Sequence, residues 1–219
     1  MAHEFKTPLS SILIAGNFLS RQQHITLDEK ALKYAQIIVN QGIKLNQQIE
    51  KILNLSKSDS NSFQLYLENF LITDATVDAI DNILLKYANA KIFVNNEKLS
   101  KDIFIKADRF HFVNIVYNLL ENAIKYSVLR PNIKINIIVK NNKIIFECCD
   151  NAIGISQKDR IKIFNKFEQL QPTTTTTIGF GLGLYYVKNI CNAHKWTITV
   201  EDNVPNGSIF KIIMPDHNV

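Results

Sequence analysis

The segment Gly179-Phe180-Gly181-Leu182-Gly183-Leu184 runs directly into a helical pattern. Glycine has no side chain, so backbone N–H groups there can approach a phosphate, and the following helix N-terminus adds partial positive charge. The segment lacks the Lys-Ser/Thr ending of a P-loop and does not follow a strand as a dinucleotide site does. Turns also use glycine, so this loop alone is weak evidence. Upstream, Asn118, Asn122 and Lys125 are spaced four and three apart and share one helix face. Leu119, Leu120 and Ala123 fall on other sides of that helix. Two amides and a lysine on one face can hold a hydrated Mg²⁺ and an anionic phosphate chain. The alternative is an ordinary solvated face. Asp150-Asn151-Ala152-Ile153-Gly154-Ile155 follows a strand-like run. An Asp at a strand end can accept a hydrogen bond from an exocyclic amine such as adenine's; the alternative is a simple Asp-Asn turn. Near the N-terminus, His3-Glu4-Phe5-Lys6-Thr7-Pro8-Leu9 opens a helix, with His3 one turn from Thr7. A neutral imidazole is a competent nucleophile near pH 7, and an adjacent carboxylate can hold its proton. Pro8 removes a backbone donor and loosens the helix locally. The alternative for His3 is a solvent-exposed residue near a terminus.

These residues must be positioned by two kinds of structure, which meet near residue 60. Before it, seam positions recur at Phe5, Leu9, Ile12, Gly16 and Leu19, and again at Ala31, Tyr34, Ile38, Gln41, Leu45, Gln48, Ile52 and Leu55, apolar except at Gly16, Gln41 and Gln48. Spacings of three and four predict two helices, each with one narrow buried seam. Thr26 or Asp28 is suited to cap the second. A lone pair of antiparallel helices cannot bury both seams, so a second copy is expected to complete a four-helix bundle. Lys57-Ser58-Asp59-Ser60-Asn61-Ser62 reads as a linker.

After the linker, strands and helices alternate. Strands are expected at 63–67, 91–95, 102–106, 133–139, 143–149, 196–201 and 208–214. Helices are expected at 71–89, 108–127, 159–165 and 181–193. Asn141-Asn142 marks a hairpin turn. The mixture predicts an α/β sandwich with helices on one face of a sheet.

Composition narrows the function classes. The chain has 219 residues, of which 46% are hydrophobic and 21% charged, which excludes a wholly disordered or collagen-like chain. No apolar run approaches the roughly 18–20 residues of a membrane span. The net charge is +5 without a dense Lys/Arg block, so nucleic-acid binding is not expected. Three cysteines (Cys148, Cys149 and Cys191) lack the pairing of a disulfide framework or a zinc site and read as reduced thiols.

Taken in order, the motifs resemble those of the sensor histidine kinases of two-component signalling. HEFKTPL resembles the phosphoacceptor-histidine box, NLLENAIKYS the N box, DNAIGI the first glycine box, IFNKFEQL the phenylalanine box and GFGLGL the second glycine box. Asn206-Gly207-Ser208 with Phe210 resembles a last, weaker glycine element. The resemblance covers essentially the whole chain. It implies a dimerisation and histidine-phosphotransfer domain at 1–57 and a catalytic ATP-binding domain at 62–219, of the type shared with Hsp90, gyrase and MutL. It implies ATP and Mg²⁺ as cofactors, and a homodimer and a response-regulator receiver domain as partners. The segment is then cytoplasmic, which is compatible with a longer protein anchored in the bacterial inner membrane.

The same resemblance assigns roles. His3 is the phosphorylated residue, Glu4 the general base on its other ring nitrogen, and Thr7 positions water when the phosphorylated regulator is dephosphorylated. Asn122 coordinates Mg²⁺ with Asn118 close by, Lys125 touches the phosphates and Tyr126 lines the adenine site. Asp150, with Gly154 in the same box, binds the adenine amine. Gly179, Gly181, Leu182 and Gly183 form the hinge and phosphate approach of an ATP lid, anchored by Phe164 and Phe167. The Hsp90-type ATPases carry a catalytic Glu where this chain has Asn118, so transfer to His3 is favoured over hydrolysis.

Two departures bear on that reading. Ala152 stands where the first glycine box usually has its first Gly, and a position needing φ > 0 would be strained by its methyl. Gln169 stands where an Arg often ends the phenylalanine box, which leaves Lys166 to provide the charge. The competing expectation is a nucleotide-binding or scaffolding signalling module without kinase activity.

Overall fold

The computed structural model describes residues 65–95, 102–169 and 181–215, together with Ile12, Ile14, Gly16, Ala31, Tyr34 and Ile38. The chain divides into two compact units, Met1–Ser62 and Phe63–Val219. In the first unit, all six described residues are helical. Ile12 and Gly16, on the expected seam, are half-buried, whereas Ile14, off it, is 68% exposed. Ala31, on the second seam, is buried. His3, Glu4 and Thr7 lie outside the described residues, as do the expected caps Thr26 and Asp28.

The second unit alternates strands and helices. Strands are β1 (Glu68–Leu71), β2 (Lys91–Asn95), β3 (Phe104–Ala107), β4 (Asn132–Lys140), β5 (Lys143–Cys149), β6 (Thr197–Asp202) and β7 (Ser208–Pro215). Helices are α1 (Ile72–Leu84), α2 (Arg109–Lys125) and α3 (Gly183–Ala193). Among the described residues, β1 and β3 pair as a two-stranded sheet, and the others form a five-stranded sheet in the order β2-β4-β5-β7-β6. Only the β2–β4 pair is parallel within it. Asn141 and Asn142 both adopt φ of 52°, the left-handed geometry of a two-residue hairpin turn between β4 and β5.

Alternation makes the sheet one-sided. Ile137, Phe146, Ile212 and Ile198 stand opposite one another across four strands, and all are buried. Their neighbours along each strand are partly or fully exposed. Helix residues pack onto the buried side. Phe112 of α2 meets Phe146 edge-on, with ring centroids 5.8 Å apart, and Trp196 at 6.3 Å. Burying a side chain of that size contributes about 2–3 kcal/mol. Cys148 is buried and its neighbour Cys149 only half-buried, as opposite faces require. All three thiols are unpaired, and burial raises each above the ordinary thiol range, Cys149 to about 11 and Cys191 to about 12.

Two expected elements differ. Of the strand predicted at 63–67, residues 63 and 64 lie outside the described residues and 65–67 are not strand; β1 begins at Glu68, and Tyr66 and Leu67 are exposed. The Tyr66 N–H is diverted from a ladder to the Asp108 carboxylate, 2.9 Å away. The helix predicted at 159–165 is two 3-10 turns, Gln157–Asp159 and Lys162–Phe164. The segment is too short to pay a helical nucleation cost, and Ile161 between the turns is 82% exposed.

Asp108 is the N-cap of α2. Its Oδ1 accepts from the His111 N–H at 3.0 Å and its Oδ2 from Tyr66. Its own N–H donates to His194 Nε2 at 3.1 Å, so the His194 Nδ1–H donates to the Ile190 carbonyl at 2.9 Å. Burial pushes the His194 imidazole below its usual range, consistent with this neutral form. Asp108→Ala is expected to cost about 2 kcal/mol, combining a lost cap with an unpaired N–H. Urea unfolding measures it, and a cost below about 0.5 kcal/mol would contradict the capping role.

Candidate nucleotide-binding site

The site is assembled from three places in the second unit: the C-terminal half of α2, the segment after β5, and the N-terminus of α3. On α2, Asn118 is 6% exposed, so the polar face is not an ordinary solvated one. Its Nδ2 donates to the Asn114 carbonyl at 2.7 Å, which fixes the orientation of Oδ1. A Cβ added at Gly183 would lie 2.9 Å from that Oδ1. The first residue of α3 therefore packs directly on the Asn118 amide, and a side chain at 183 would displace it. Gly183→Ala is expected to weaken ATP binding about threefold to tenfold without lowering the unfolding temperature, since Ala is the better helix former. Equilibrium titration with ATP checks this; unchanged affinity would show that the amide's orientation is irrelevant.

Lys125 lies one turn beyond Glu121, with Nζ 2.8 Å from Oε2. Asn122, between them in sequence, is half-buried. Tyr126 is the C-cap of α2 and its carbonyl accepts from the Ile153 N–H at 3.3 Å. This bond ties the end of α2 to the segment that follows β5.

That segment begins with Asp150, which is 3% exposed. Its Oδ1 accepts two backbone N–H groups, from Ala152 and Ser208, each at 2.9 Å. Its Oδ2 accepts no hydrogen bond from the described residues. Burial raises the carboxyl above its ordinary value, opposed by the Ala152 and Ser208 bonds. The backbone clasps it as well: its N–H donates to the Ser208 carbonyl at 2.9 Å, and Asn203 Nδ2 donates to its carbonyl at 2.7 Å. A Cβ at Gly207 would meet the Asp150 carbonyl oxygen at 1.9 Å, so the weak last glycine element is a steric requirement for this clasp. The anticipated strain at Ala152 is absent. Among the described residues, positive φ outside glycine occurs at Asn141, Asn142, Phe167 and Lys195, and in the DNAIGI segment at Gly154 alone, at 78°. Ala152 serves Asp150 through its N–H, which a methyl does not obstruct.

Gly181 closes the other side. Its φ is 63°, and a Cβ there would meet the backbone of Phe167 and Glu168 at 2.5–2.8 Å. Its carbonyl accepts from the Phe167 N–H at 3.0 Å, and Phe167 itself adopts φ of 65°. Leu182, the N-cap of α3, is buried. Lys166 lies 5.6 Å over the Phe167 ring and Lys188 lies 5.9 Å over Phe164. The phenylalanine segment thus anchors the start of α3. Gly179 and the run Thr173 to Thr177 lie outside the described residues.

The arrangement joins an open carboxylate oxygen, an amide-bearing helix face with a lysine, and the N-terminus of a helix. Residues 107–218 match the family described as histidine kinase-, DNA gyrase B- and HSP90-like ATPases. Residues 1–61 match the His Kinase A phospho-acceptor domain. This chain belongs to the sensor histidine kinases. The second unit is the ATP-binding type of domain in that family.

Among related proteins, sensor protein RprX of Bacteroides fragilis is 33% identical over 98% of this histidine kinase chain and 42% of its own length. The kinase ArlS of Staphylococcus aureus is 29% identical over 97% of this chain and 47% of its own. The chain thus spans less than half the length of these relatives. Acinetobacter baumannii histidine kinase AdeS has the same fold, with a TM-score of 0.67, 24% identity, and coverage of 99% of this chain and 98% of that one. Full-length ShkA, solved in complex with AMPPNP, matches with a TM-score of 0.71 and 21% identity over 97% of this chain and 44% of that one. No helix among the described residues is long and apolar enough to cross a membrane.

Two contributors to this arrangement lie outside the sequence motifs. Asn203 reaches Asp150 from 53 residues away, and Lys86 approaches Glu121 from 35 away. No local spacing signals either.

Proposed function

We propose that this chain is the ATP-dependent autophosphorylating core of a two-component sensor kinase, with 1–57 as the dimerising phosphotransfer domain and 62–219 as the catalytic domain. The observation that carries the reading is Asp150: a buried carboxylate with Oδ1 saturated by backbone and Oδ2 open. An adenine amine donates to that oxygen, and Tyr126 lines the base. Lys125 and the N-terminal N–H groups of α3 meet the phosphates, with Gly179, Gly181, Leu182 and Gly183 as the lid's hinge and approach. Lys166 adds charge in place of the missing Arg at Gln169. The nucleotide-bound structure of ShkA supports a nucleotide in a domain of this fold.

Among the described residues, no group of three His, Cys, Asp or Glu side chains could hold a metal ion. A single amide oxygen suits a hard cation that keeps most of its ligands as phosphate and water oxygens. Asn122 is the residue that would hold Mg²⁺, with Asn118 beside it; when bound, the ion neutralises phosphate charge.

In the transfer, a ring nitrogen of His3 attacks the γ-phosphorus in line. A P–N bond forms, the bond to the β–γ bridging oxygen breaks, and ADP departs with that electron pair. Glu4 accepts the proton of the other ring nitrogen. Such transfer depends on positioning and charge neutralisation more than on covalent work by the protein. Asn118 supplies no base to activate water, which favours His3 over hydrolysis. The phosphoryl group then passes to an Asp of a response-regulator receiver domain, and Thr7 positions water for the reverse function. The seams of the first unit require a second copy, so the working unit is a homodimer. The segment acts in the cytoplasm and needs no nucleic acid.

The test is incubation with γ-labelled ATP and Mg²⁺. The expected product carries label that survives alkali and is lost in acid, as a phosphoramidate is. No label would sink the kinase reading in favour of a scaffolding module.

A further inference from the structure

Glu121 sits between two lysines that the sequence keeps far apart. Its Oε2 lies 2.8 Å from Lys125 Nζ on the next turn of α2, and its Oε1 lies 2.9 Å from Lys86 Nζ, just after α1. The Glu121 side chain is 12% exposed, so little water screens the cluster from inside, while Lys86 is 52% exposed. A carboxylate with one oxygen on each of two ammonium groups is held in its charged form by that geometry. Lys86 also lies 4.9 Å over the Tyr87 ring, which steadies its position.

The charge balance has a consequence for the phosphate site. A Lys–Glu pair is neutral overall, and a lysine whose charge is cancelled attracts an anion poorly. With Lys86 added, the cluster carries a net charge of one positive unit. We propose that Glu121 and Lys86 are positioning residues for Lys125: Glu121 fixes its ammonium beside the site, and Lys86 cancels the carboxylate so that Lys125 presents its full charge to the nucleotide's phosphates. The proposal rests on the phosphate role of Lys125 given above. Lys86 acts through Glu121 and touches no phosphate itself.

The experiment is a double-mutant cycle on the full chain, reading equilibrium affinity for AMPPNP, ADP and AMP with Mg²⁺. Lys86→Met, at an exposed position, is expected to weaken AMPPNP and ADP by about fivefold and AMP hardly at all. The loss shrinks at 0.5 M salt, as an electrostatic effect must. In a Glu121→Gln background, where the amide oxygen still accepts from Lys125 but carries no charge, the Lys86→Met cluster again carries one positive unit and is expected to bind AMPPNP within about twofold of the parent. A double variant that binds no more tightly than Lys86→Met alone, an equal loss for AMP, or no loss in the parent chain would each overturn the proposal. Lys125→Met separates the two levels. If it leaves AMPPNP affinity unchanged, the phosphate role of Lys125 fails, and this proposal with it. If it weakens AMPPNP while Lys86→Met does nothing, the proposal alone fails.

Discussion

His3→Gln will take up no label from γ-labelled ATP, a loss of more than about 10³-fold, while its affinity for nucleotide stays within about twofold. Glutamine offers an amide in place of a ring nitrogen and cannot form the P–N bond. The residues proposed to bind nucleotide all belong to the second unit, so binding is not expected to change. The chain has five histidines, so the specificity of the result matters. His194 already uses both ring nitrogens, toward Asp108 and Ile190. His111 Nδ1 lies 2.7 Å from the Tyr186 hydroxyl, and burial lowers its pKa. His194 is therefore not available as an acceptor without breaking packed structure, and His24 and His217 lie outside the described residues. Acid-labile label persisting in His3→Gln would therefore overturn the assignment of the acceptor.

Asp150→Asn is expected to weaken ATP binding about 100-fold, roughly the loss of one charge-assisted bond plus the clash of two donors. An Asn side chain can keep its oxygen toward the Ala152 and Ser208 N–H groups. Its NH₂ then stands where Oδ2 was and faces the amine of adenine, donor to donor. GTP, which presents a carbonyl at that place, is expected to lose far less, so the ATP-to-GTP preference collapses. Folding stability changes the other way. Burial raises the folded-state pKa of Asp150 above its unfolded value. Such a carboxyl contributes stability while protonated and loses it as pH rises from the ordinary Asp range through the folded pKa. The neutral Asn escapes that loss, so Asp150→Asn is expected to be at least as stable as the parent at pH 7, with the advantage shrinking toward pH 3. Paired nucleotide titrations and thermal unfolding across pH measure both effects. Unchanged ATP affinity would remove Asp150 from the site, and a collapse of the fold would make its role purely structural.

Much of this site was readable from local spacing, because its parts obey local rules. Asn118, Asn122 and Lys125 share a face because a helix turns every 3.6 residues, whatever surrounds it. Asn141-Asn142 marked its turn because those residues tolerate left-handed backbone. Ala152 shows the limit of such reading. A glycine expected from the motif suggested strain, yet only the folded backbone reveals that Gly154, and not position 152, bears the positive φ. The strand expected at 63–67 failed for a similar reason. Over 65–67, a hydrogen bond from Tyr66 to Asp108, 42 residues away, takes the backbone out of the ladder.

The sequence by itself determined the family, the order of the chemical motifs, the one-sided sheet and the helix face that carries the amides. These depend on residue type and on contacts within a turn or two. Tertiary structure alone decided which Asp150 oxygen is open, that Gly183 leaves room for Asn118, and that Lys86 closes a charge cluster with Glu121 and Lys125. Each joins groups 35 or more residues apart in sequence. Such meetings are set by how the helices pack on the sheet, and no periodicity along the chain encodes them.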